Sequence, residues 1–171
     1  SAVATDEQGQ TKNGFEVNIL TDLSELDQDA FARKVVDKTI AQFGSGPCAS
    51  GKYKCVFNPK TTSALLSFFI HSMSSEEVQK KTSLLAGKLN QQVCSKKITI
   101  TESPLLKNVF FRYFDDEGVA TYNKTLIRNG VLQTYLYNLT TANKDGVQTT
   151  GNGYKGGSGI GIRAINVAIK P

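Results

Sequence analysis

Apolar side chains recur along the chain with two different spacings, and the first of these predicts an amphipathic helix. From Asp27 onward, Phe31, Val35 and Ile40 follow the helical period of about 3.6 residues. Gly44 ends the pattern, since glycine commonly stops a helix. We therefore expect a first helix between Asp27 and Gly44.

A second helix is predicted where Asn58 offers a capping oxygen and Pro59 a preset first helical turn. The segment from there to about Met73 is apolar on nearly every face, so we expect this helix to be buried. After a polar turn, a shorter helix is predicted over residues 84–89. A single helical turn is predicted over residues 141–144.

The second spacing is the alternation that is typical of strands. Residues 1–5 and 14–20 favour extended structure, and residues 8–13 between them are turn formers, so together they predict an antiparallel hairpin. Short strands are also predicted over residues 53–57 and 97–101.

Two further strand signals lie in the second half of the chain. Residues 110–114 predict a strand with aromatic side chains that face the core. Residues 124–128 and 131–136 are joined by Asn129 and Gly130, a pair that tolerates the positive φ angles of a type I′ turn. This is the clearest hairpin signal in the sequence.

Strands therefore come first, helices in the middle and strands last, because residues 160–169 form another apolar run after a glycine-rich stretch. This order predicts an α+β fold of antiparallel sheets with hairpins and a few packed helices, either two-layered or barrel-like. The 171 residues suffice for a single domain, residues 1–171, with a core of its own. The sequence shows no internal repeat.

Composition excludes several functional classes. No apolar run approaches the ~18 residues that cross a membrane. The net charge of +5 suits an acidic partner, but the basic residues form no one-sided stripe that would track a nucleic acid. Cys48, Cys55 and Cys94 are too few for a disulfide framework and favour a reducing compartment, most simply the cytoplasm.

Two glycine-rich motifs and one histidine are candidates for chemistry, and each departs from its pattern. Residues 46–53 match a phosphate-binding loop until Tyr53 replaces the Ser or Thr that would hold Mg²⁺. Residues 151–156 have G-x-G-x-x-G spacing but no helix signal or acidic residue after them. His71 is the sole histidine, whereas a catalytic zinc ion needs about three protein ligands.

Three neighbouring carboxylates occur at Asp115, Asp116 and Glu117. Hard cations such as Mg²⁺ and Ca²⁺ prefer oxygen ligands, so a metal site is conceivable here. In an extended segment only Asp115 and Glu117 share a face, and we therefore expect no metal site.

Three stretches of sequence resemble the TldD/PmbA family, whose members are also called peptide maturation proteins or modulators of DNA gyrase. They are residues 114–119 (Phe-Asp-Asp-Glu-Gly-Val), 126–135 (Leu-Ile-Arg-Asn-Gly-Val-Leu-Gln-Thr-Tyr) and 149–153 (Thr-Thr-Gly-Asn-Gly), in the family's order and spacing. The resemblance extends over nearly the whole chain. It implies a fragment of a longer TldD/PmbA-type protein whose N-terminal domain and C-terminal end are absent.

The resemblance implies a bacterial, cytoplasmic, two-subunit protease in which the TldD-type subunit carries a His-Glu-x-x-x-His zinc motif on a helix. The PmbA (TldE) type is its metal-free partner. In this sequence the two histidine positions fall on Ser67 and Ser72, and the glutamate position falls on Phe68. Because a hydroxyl is a poor zinc ligand and a phenyl ring cannot move a proton, we expect no catalytic residue, metal or cofactor in this chain.

Two functions stay open at this stage. In the first, the chain is part of a non-catalytic PmbA/TldE-like subunit that pairs with a TldD-type zinc peptidase around an extended peptide substrate in peptide maturation and proteolysis; self-association is the other partner interaction expected. In the second, it is a stand-alone peptide- or protein-binding domain, for example a modulator of DNA gyrase, without a peptidase role. Neither function implies a membrane or a nucleic acid as the partner.

The predicted contact with a peptide or a partner lies near the end of the chain, in the 149–153 segment. Its threonines favour extended backbone and offer hydroxyl groups, and its glycines lack the Cβ atoms that would keep another backbone away. A partner subunit or an added peptide strand is therefore expected there, and the alternative is a plain solvent-exposed loop, since glycine-rich turns are common on surfaces. The candidate contact residues are Thr149, Thr150, Gly151, Asn152 and Gly153.

Overall fold

A hairpin and one helix form the first of the two units into which the chain divides, Ser1–Cys55 and Val56–Pro171. The computed structural model describes residues 1–170. Strands β1 (Ala2–Thr5) and β2 (Thr11–Gly14) pair in antiparallel fashion. A short 3-10 helix follows (Leu23–Glu25), and then helix α1 (Gln28–Ile40) packs against both strands.

The hairpin turns earlier along the chain than the sequence predicted. The Asp6 carboxylate accepts hydrogen bonds from the amides of Gln8 and Gln10, at 3.0 and 2.8 Å, and this closes a tight turn. The second strand can therefore begin at Thr11, inside the segment that was predicted as the turn. The strand predicted over residues 14–20 is wrong.

Helix α1 begins where it was predicted, because the Asp27 side chain accepts a hydrogen bond of 2.9 Å from the amide of Ala30. It ends at Ile40, a few residues before Gly44. Val35 and Thr39 are buried in this unit. Thr39 also lies so close to Gly14 that a Cβ atom on Gly14 would collide with its hydroxyl.

The second unit is built on a four-stranded antiparallel sheet with the strand order β5-β4-β3-β8, beside which β6 and β7 form a separate ladder. Strands β4 and β5 are the predicted hairpin, and its turn residues Asn129 and Gly130 have φ angles of 49° and 80°. The strands are β3 (Thr99–Glu102), β4 (Lys124–Arg128), β5 (Val131–Leu132), β6 (Gly153–Lys155), β7 (Ile160–Ile162) and β8 (Val167–Lys170).

Three helices accompany this sheet: α2 (Pro59–His71), α3 (Ser75–Gln79) and α4 (Leu139–Asp145). Asn58 caps α2 as predicted, by accepting a hydrogen bond of 2.8 Å from the amide of Thr61. Helix α4 extends the helical turn that was predicted over residues 141–144. The mixture of helices and antiparallel sheets confirms the α+β prediction, and no sheet among residues 1–170 closes into a barrel.

The helix predicted over residues 84–89 is wrong, and α3 takes its place in a segment that was predicted as a turn. The Tyr135 hydroxyl donates a hydrogen bond of 2.6 Å to the carbonyl of Leu85 and accepts one of 3.1 Å from the amide of Lys88. These backbone groups are therefore bonded to a side chain from another part of the unit. Tertiary contacts thus determine the local structure here.

The core of the second unit joins the C-terminal end of α2 to the sheet. Met73, Leu126, Ile127 and Leu132 are completely buried. They belong to one cluster with Ile70, Leu85, Ile100, Tyr135 and Leu136. Helix α2 contributes only Ile70 to the buried set, and Phe68 on the same helix is 79% exposed. The prediction of a buried second helix is therefore wrong.

Two predicted strands are also wrong. Residues 53–57 pair with no strand in the part of the chain that the structure describes, and Val56 is fully exposed. Residues 110–114 form turns with only an isolated bridge from Phe114 to Ala120, and their aromatic side chains do not all face the core. An extended segment becomes a strand only where a second backbone pairs with it along its length, which the sequence pattern alone does not reveal.

A buried ion pair connects two strands of the sheet to the 149–153 segment. Lys124 on β4 donates to Glu102 on β3 at 2.8 Å, and their side chains are 5% and 1% exposed. The Asn152 side chain bonds both charges, since its Oδ1 accepts from Lys124 at 3.2 Å and its Nδ2 donates to Glu102 at 2.8 Å. These extra hydrogen bonds offset part of the cost of removing both charges from water.

The same polar cluster anchors residues 163–165. Glu102 also accepts from the amide of Ile165 at 2.8 Å, and Asn152 Nδ2 donates to the carbonyl of Arg163 at 3.0 Å. The Arg163 amide returns a bond of 3.0 Å to the carbonyl of Asn152. Thr150 Oγ1 adds a bond of 2.7 Å to Asn152 Oδ1. We call Glu102, Lys124, Thr150 and Asn152 the Glu102 cluster.

Replacing Lys124 with Met is expected to lower the free energy of unfolding by about 3–5 kcal/mol, because the Glu102 charge would stay buried without its cation. Adding Glu102→Gln removes that charge, so the double variant should recover part of the lost stability. Urea unfolding followed by circular dichroism measures both variants.

Lys80→Met is the matched control, since Lys80 also pairs with a glutamate, Glu76 at 2.7 Å, but in solvent. We expect its unfolding midpoint to stay close to that of the wild type. Equal midpoints for Lys124→Met and Lys80→Met would contradict the structural importance of the buried pair.

Three glycine-to-alanine variants separate backbone strain from steric collision. Gly118 has a φ of 79° and open space around it, so Gly118→Ala should cost about 1 kcal/mol for the left-handed backbone alone. Gly130 has a similar φ, but a Cβ atom there would lie 2.8 Å from the carbonyl oxygen of Ser95, so Gly130→Ala should cost more. Gly157→Ala, with neither obstacle, should leave the melting temperature nearly unchanged. A Gly130 variant no less stable than the Gly118 variant would contradict this ranking.

Candidate functional site

The three positions onto which the sequence resemblance maps a zinc motif lie in the C-terminal half of helix α2 and at its C-cap, Ser72, and the two serine hydroxyls bond to carbonyls of that helix. The Ser67 hydroxyl donates to the carbonyl of Ser63 at 2.9 Å, and the Ser72 hydroxyl donates to the carbonyl of Phe68 at 3.2 Å. Ser67 and Ser72 line two different cavities. The arrangement therefore brings together neither two metal ligands nor a general base.

No alternative metal site replaces them. Within residues 1–170, no group of three or more His, Cys, Asp or Glu side chains is placed to hold a metal ion. His71 Nε2 lies 3.9 Å from a Glu77 carboxylate oxygen, a distance that gives at most a weak ion pair. Cys48, Cys55 and Cys94 are free thiols, and partial burial raises the pKa of the Cys94 thiol.

One face of α2 forms a wall of a cavity of about 320 Å³, which we call the α2 cavity. Ser63, Ser67 and His71 are four residues apart, so they lie on the same helical stripe. Residues 162–164 and Val167 also line this cavity. The remaining lining residues are Leu66, Ile70, Ser74 and Leu136.

A second cavity, of about 420 Å³, adjoins the same region, and we call it the aromatic cavity. Arg163 and Ala164 line both cavities. The Arg163 guanidinium carbon lies 4.9 Å from the centre of the Tyr154 ring, a cation–π contact. The other lining residues are Val109, Phe110, Phe111, Arg112, Ile165 and Asn166.

Arg163 has no carboxylate within ion-pair distance in the described range, whereas Arg112 pairs with Asp116 at 2.7 Å. No acidic residue lines either cavity. The peptide amide and carbonyl of Ala164 form no hydrogen bond with any part of residues 1–170. Arg163 and Ala164 thus line both cavities, and among residues 1–170 the guanidinium has no carboxylate partner and the Ala164 peptide groups have no hydrogen-bond partner.

The three neighbouring carboxylates bond to backbone amides. Asp115 is buried and accepts from the amides of Glu117 and Val119, both at 3.0 Å, and of Gly153 at 2.7 Å. The amide of Lys155, at 2.8 Å from Asp116, and the Arg112 guanidinium lower the pKa of the Asp116 carboxyl. These carboxylates hold the loop before β4 against β6.

The Glu117 carboxylate accepts from the amide of Leu139, at the start of α4, at 2.8 Å. Near this helix, burial together with the Asp145 carboxylate raises the pKa of Tyr137 to about 12, so the phenol stays neutral at physiological pH. The Tyr137 hydroxyl donates to Asp145 at 3.2 Å. The Glu117 carboxylate and the Tyr137 hydroxyl therefore form hydrogen bonds that stabilise the fold around α4.

The 149–153 segment lies inside the second unit. Thr150 is 5% exposed and Asn152 2% exposed, and Gly151 and Gly153 are also buried. The glycines do allow a close approach, and residues 117–121 of the same chain occupy it: a Cβ atom on Gly151 would lie 2.8 Å from the carbonyl oxygen of Ala120. Contact of Thr149 and its neighbours with a peptide or a partner subunit stays a prediction.

Sequence reasoning missed the meeting point of the two cavities. The only local signal was Arg163 itself, a cation inside the apolar run of residues 160–169. Tyr154 and Phe110 are distant from it in sequence, and their placement beside it follows from the β6–β7 ladder and from the turns of residues 109–112.

Comparisons with known sequences identify relatives over most of the chain. A family model described as the PmbA/TldA metallopeptidase C-terminal domain matches residues 50–171. A metalloprotease of Methanocaldococcus jannaschii is 32% identical over 128 residues, which are 73% of this chain and 28% of that protein. The metalloprotease PmbA of Escherichia coli O157:H7 is 25% identical over 154 residues, 89% of this chain and 34% of that protein. The chain thus spans about a third of the length of these relatives.

Two solved structures resemble this fold. The crystal structure of a proposed modulator of a DNA gyrase from Thermotoga maritima matches with a TM-score of 0.87 and 35% identity, over 99% of this chain and 38% of that chain. The crystal structure of TldE from Thermococcus kodakarensis matches with a TM-score of 0.80 and 25% identity, over 98% of this chain and 39% of that chain. Since the family model also covers well over half of the residues, this chain belongs to the PmbA/TldD family.

Proposed function

We propose that this chain is part of a non-catalytic PmbA/TldE-type subunit that assembles with a TldD-type zinc peptidase subunit in peptide maturation and proteolysis. The observation that carries the proposal is the chemistry of α2. Serine hydroxyls bonded to helix carbonyls and an exposed phenyl ring stand where zinc ligands and a general base would be required. The likeness to TldE from Thermococcus kodakarensis supports it.

In such a complex, the TldD-type subunit would supply the metal and this subunit would supply surface. The exposed apolar side chains of Phe68 and Leu65 on α2 are the kind of surface that a partner covers.

No helix among the described residues is long and apolar enough to cross a membrane. The exposed free thiols of Cys48 and Cys55 support a cytoplasmic, reducing setting as part of the same proposal.

A metal analysis tests the non-catalytic assignment. The tag-free chain, dialysed against metal-free buffer, is expected to carry no stoichiometric transition metal and to keep its melting temperature when a chelator is added. Elemental analysis and thermal unfolding measure these two properties. A content of about one zinc ion per chain would contradict the proposal.

Reconstitution tests the assembly. Protein expressed from the complete gene should co-elute with the TldD-type subunit of the same organism on size exclusion, and peptide cleavage should require both proteins. Ser67→Ala and Ser72→Ala in this chain should leave cleavage unchanged, while substitution of the zinc ligands of the TldD-type subunit should abolish it.

Three outcomes would overturn this proposal. Cleavage by this chain alone would make it catalytic. Assembly only with itself, or binding to gyrase without any TldD-type subunit, would favour the stand-alone binding domain. The matched control for the reconstitution is Ser158→Ala, a surface change outside α2 that should affect neither assembly nor cleavage.

A further inference from the structure

We propose that Arg163 binds the C-terminal carboxylate of a peptide whose last side chain, apolar or aromatic, enters the aromatic cavity. The starting observation is that Arg163 lines both cavities and that its guanidinium, which has no carboxylate partner among residues 1–170, lies over the Tyr154 ring of the aromatic cavity. A guanidinium pairs with a carboxylate through two parallel hydrogen bonds, which gives both affinity and orientation.

The surroundings of Arg163 select an anion of low charge with an apolar neighbour. Neither cavity is lined by an acidic residue, and Asp116, which contacts the lining residue Arg112, has its charge paired with that guanidinium at 2.7 Å. The second arginine, Arg112, is already paired with Asp116. A single available guanidinium matches one carboxylate better than a phosphate, which is more highly charged and usually needs several donors.

The aromatic cavity and the adjoining backbone indicate that the carboxylate belongs to a peptide. Phe110, Phe111 and Tyr154 offer ring surfaces in a space of about 420 Å³. The peptide groups of Ala164, between the two cavities, have no hydrogen-bond partner among residues 1–170 and can pair with an extended backbone. Serine hydroxyls line the α2 cavity on the other side, and that of Ser63 has no partner in the described chain.

Geometry favours the terminal carboxylate over that of an Asp or Glu side chain. The terminal carboxylate and the last side chain share one Cα atom, so both can face Arg163 and the aromatic cavity at once. In an extended peptide, an acidic side chain next to the apolar one points to the opposite face, and one two residues away lies about 7 Å further along the strand, so neither places its carboxylate beside the apolar side chain as the terminal carboxylate does.

Calorimetry on the 171-residue chain with an acetylated alanyl-alanyl-phenylalanine tripeptide tests the proposal. The free acid is expected to bind at least about tenfold more tightly than the same tripeptide with an amidated terminus. Arg163→Gln should weaken binding of the acid about tenfold and hardly change binding of the amide, because both changes remove the same ion pair. Phe110→Ala should weaken both peptides.

Arg128→Gln is the matched control, since Arg128 is an exposed arginine at the end of β4 that lines neither cavity. Its binding constants should equal those of the wild type. The exposed Arg163 side chain takes no part in the Glu102 cluster, which uses only Arg163 backbone atoms, so Arg163→Gln should keep the wild-type melting temperature.

A third peptide, amidated and carrying a glutamate before the phenylalanine, separates the two sources of carboxylate. Binding of this peptide as tightly as the free acid, with the same dependence on Arg163, would overturn the assignment to the C-terminus. Equal binding of acid and amide, an unchanged Arg163→Gln variant, or no binding of the tripeptide at millimolar concentration would each overturn the site itself.

The inference rests on the proposed function only for the choice of a peptide as probe. Binding is measured without a TldD-type subunit, so failure of assembly and failure of this site are distinguishable.

Discussion

The buried pair of Glu102 and Lys124 is the interaction on which the second unit depends, because the two buried charges are satisfied by groups from several separate segments of the chain. The two charges bond to the side-chain amide of Asn152 and to the backbone amide of Ile165, both of which are distant in sequence from Glu102 and Lys124. A buried ion pair adds little stability compared with well-packed apolar residues of the same volume. Its effect here is to make every other register of β3, β4 and the 149–153 segment costly, since a shift would leave a charge buried and unpaired.

The Glu102 cluster also fixes the backbone of residues 163–165, which line the candidate binding surface. Three hydrogen bonds hold residues 163–165 in place: the Arg163 amide donates to the Asn152 carbonyl, the Asn152 side chain donates to the Arg163 carbonyl, and the Ile165 amide donates to the Glu102 carboxylate. The peptide groups of Ala164, which lie between these bonded residues, are left free. The Arg163 side chain thus extends from a fixed backbone, and its guanidinium contacts the Tyr154 ring, so less conformational entropy is lost when it binds a ligand. The positions of the cavity-lining residues 163–165 therefore depend on the hydrogen bonds of the Glu102 cluster.

The sequence predicted those elements whose signals are local. Asn58 and Pro59 mark the start of α2, and Asn129 with Gly130 sets a turn whose φ angles few other residue pairs accept. Residues 53–57 look like a strand but lack a partner backbone, and residues 84–89 look like a helix but bond to Tyr135. The glycines of the 149–153 segment indicated a close approach of backbone, and no pattern in the sequence could reveal that residues 117–121 of the same chain make it. Where an element or a site depends on a distant partner, the local pattern does not contain the answer.

Helix α2 is held in place by contacts that do not involve Ser67, Phe68 or Ser72, the positions onto which the sequence resemblance maps a zinc motif. The helix is anchored by its Asn58 cap at one end and by Ile70 and Met73 in the core at the other, and none of these contacts involves the motif positions. The hydroxyls of Ser67 and Ser72 donate to carbonyls on the preceding turn of the helix, so neither hydroxyl needs a further hydrogen-bond partner or a metal ion. The contacts that stabilise this helix are therefore independent of the side chains at these three positions. Its polar stripe of Ser63, Ser67 and His71 lines a cavity that Arg163 also lines.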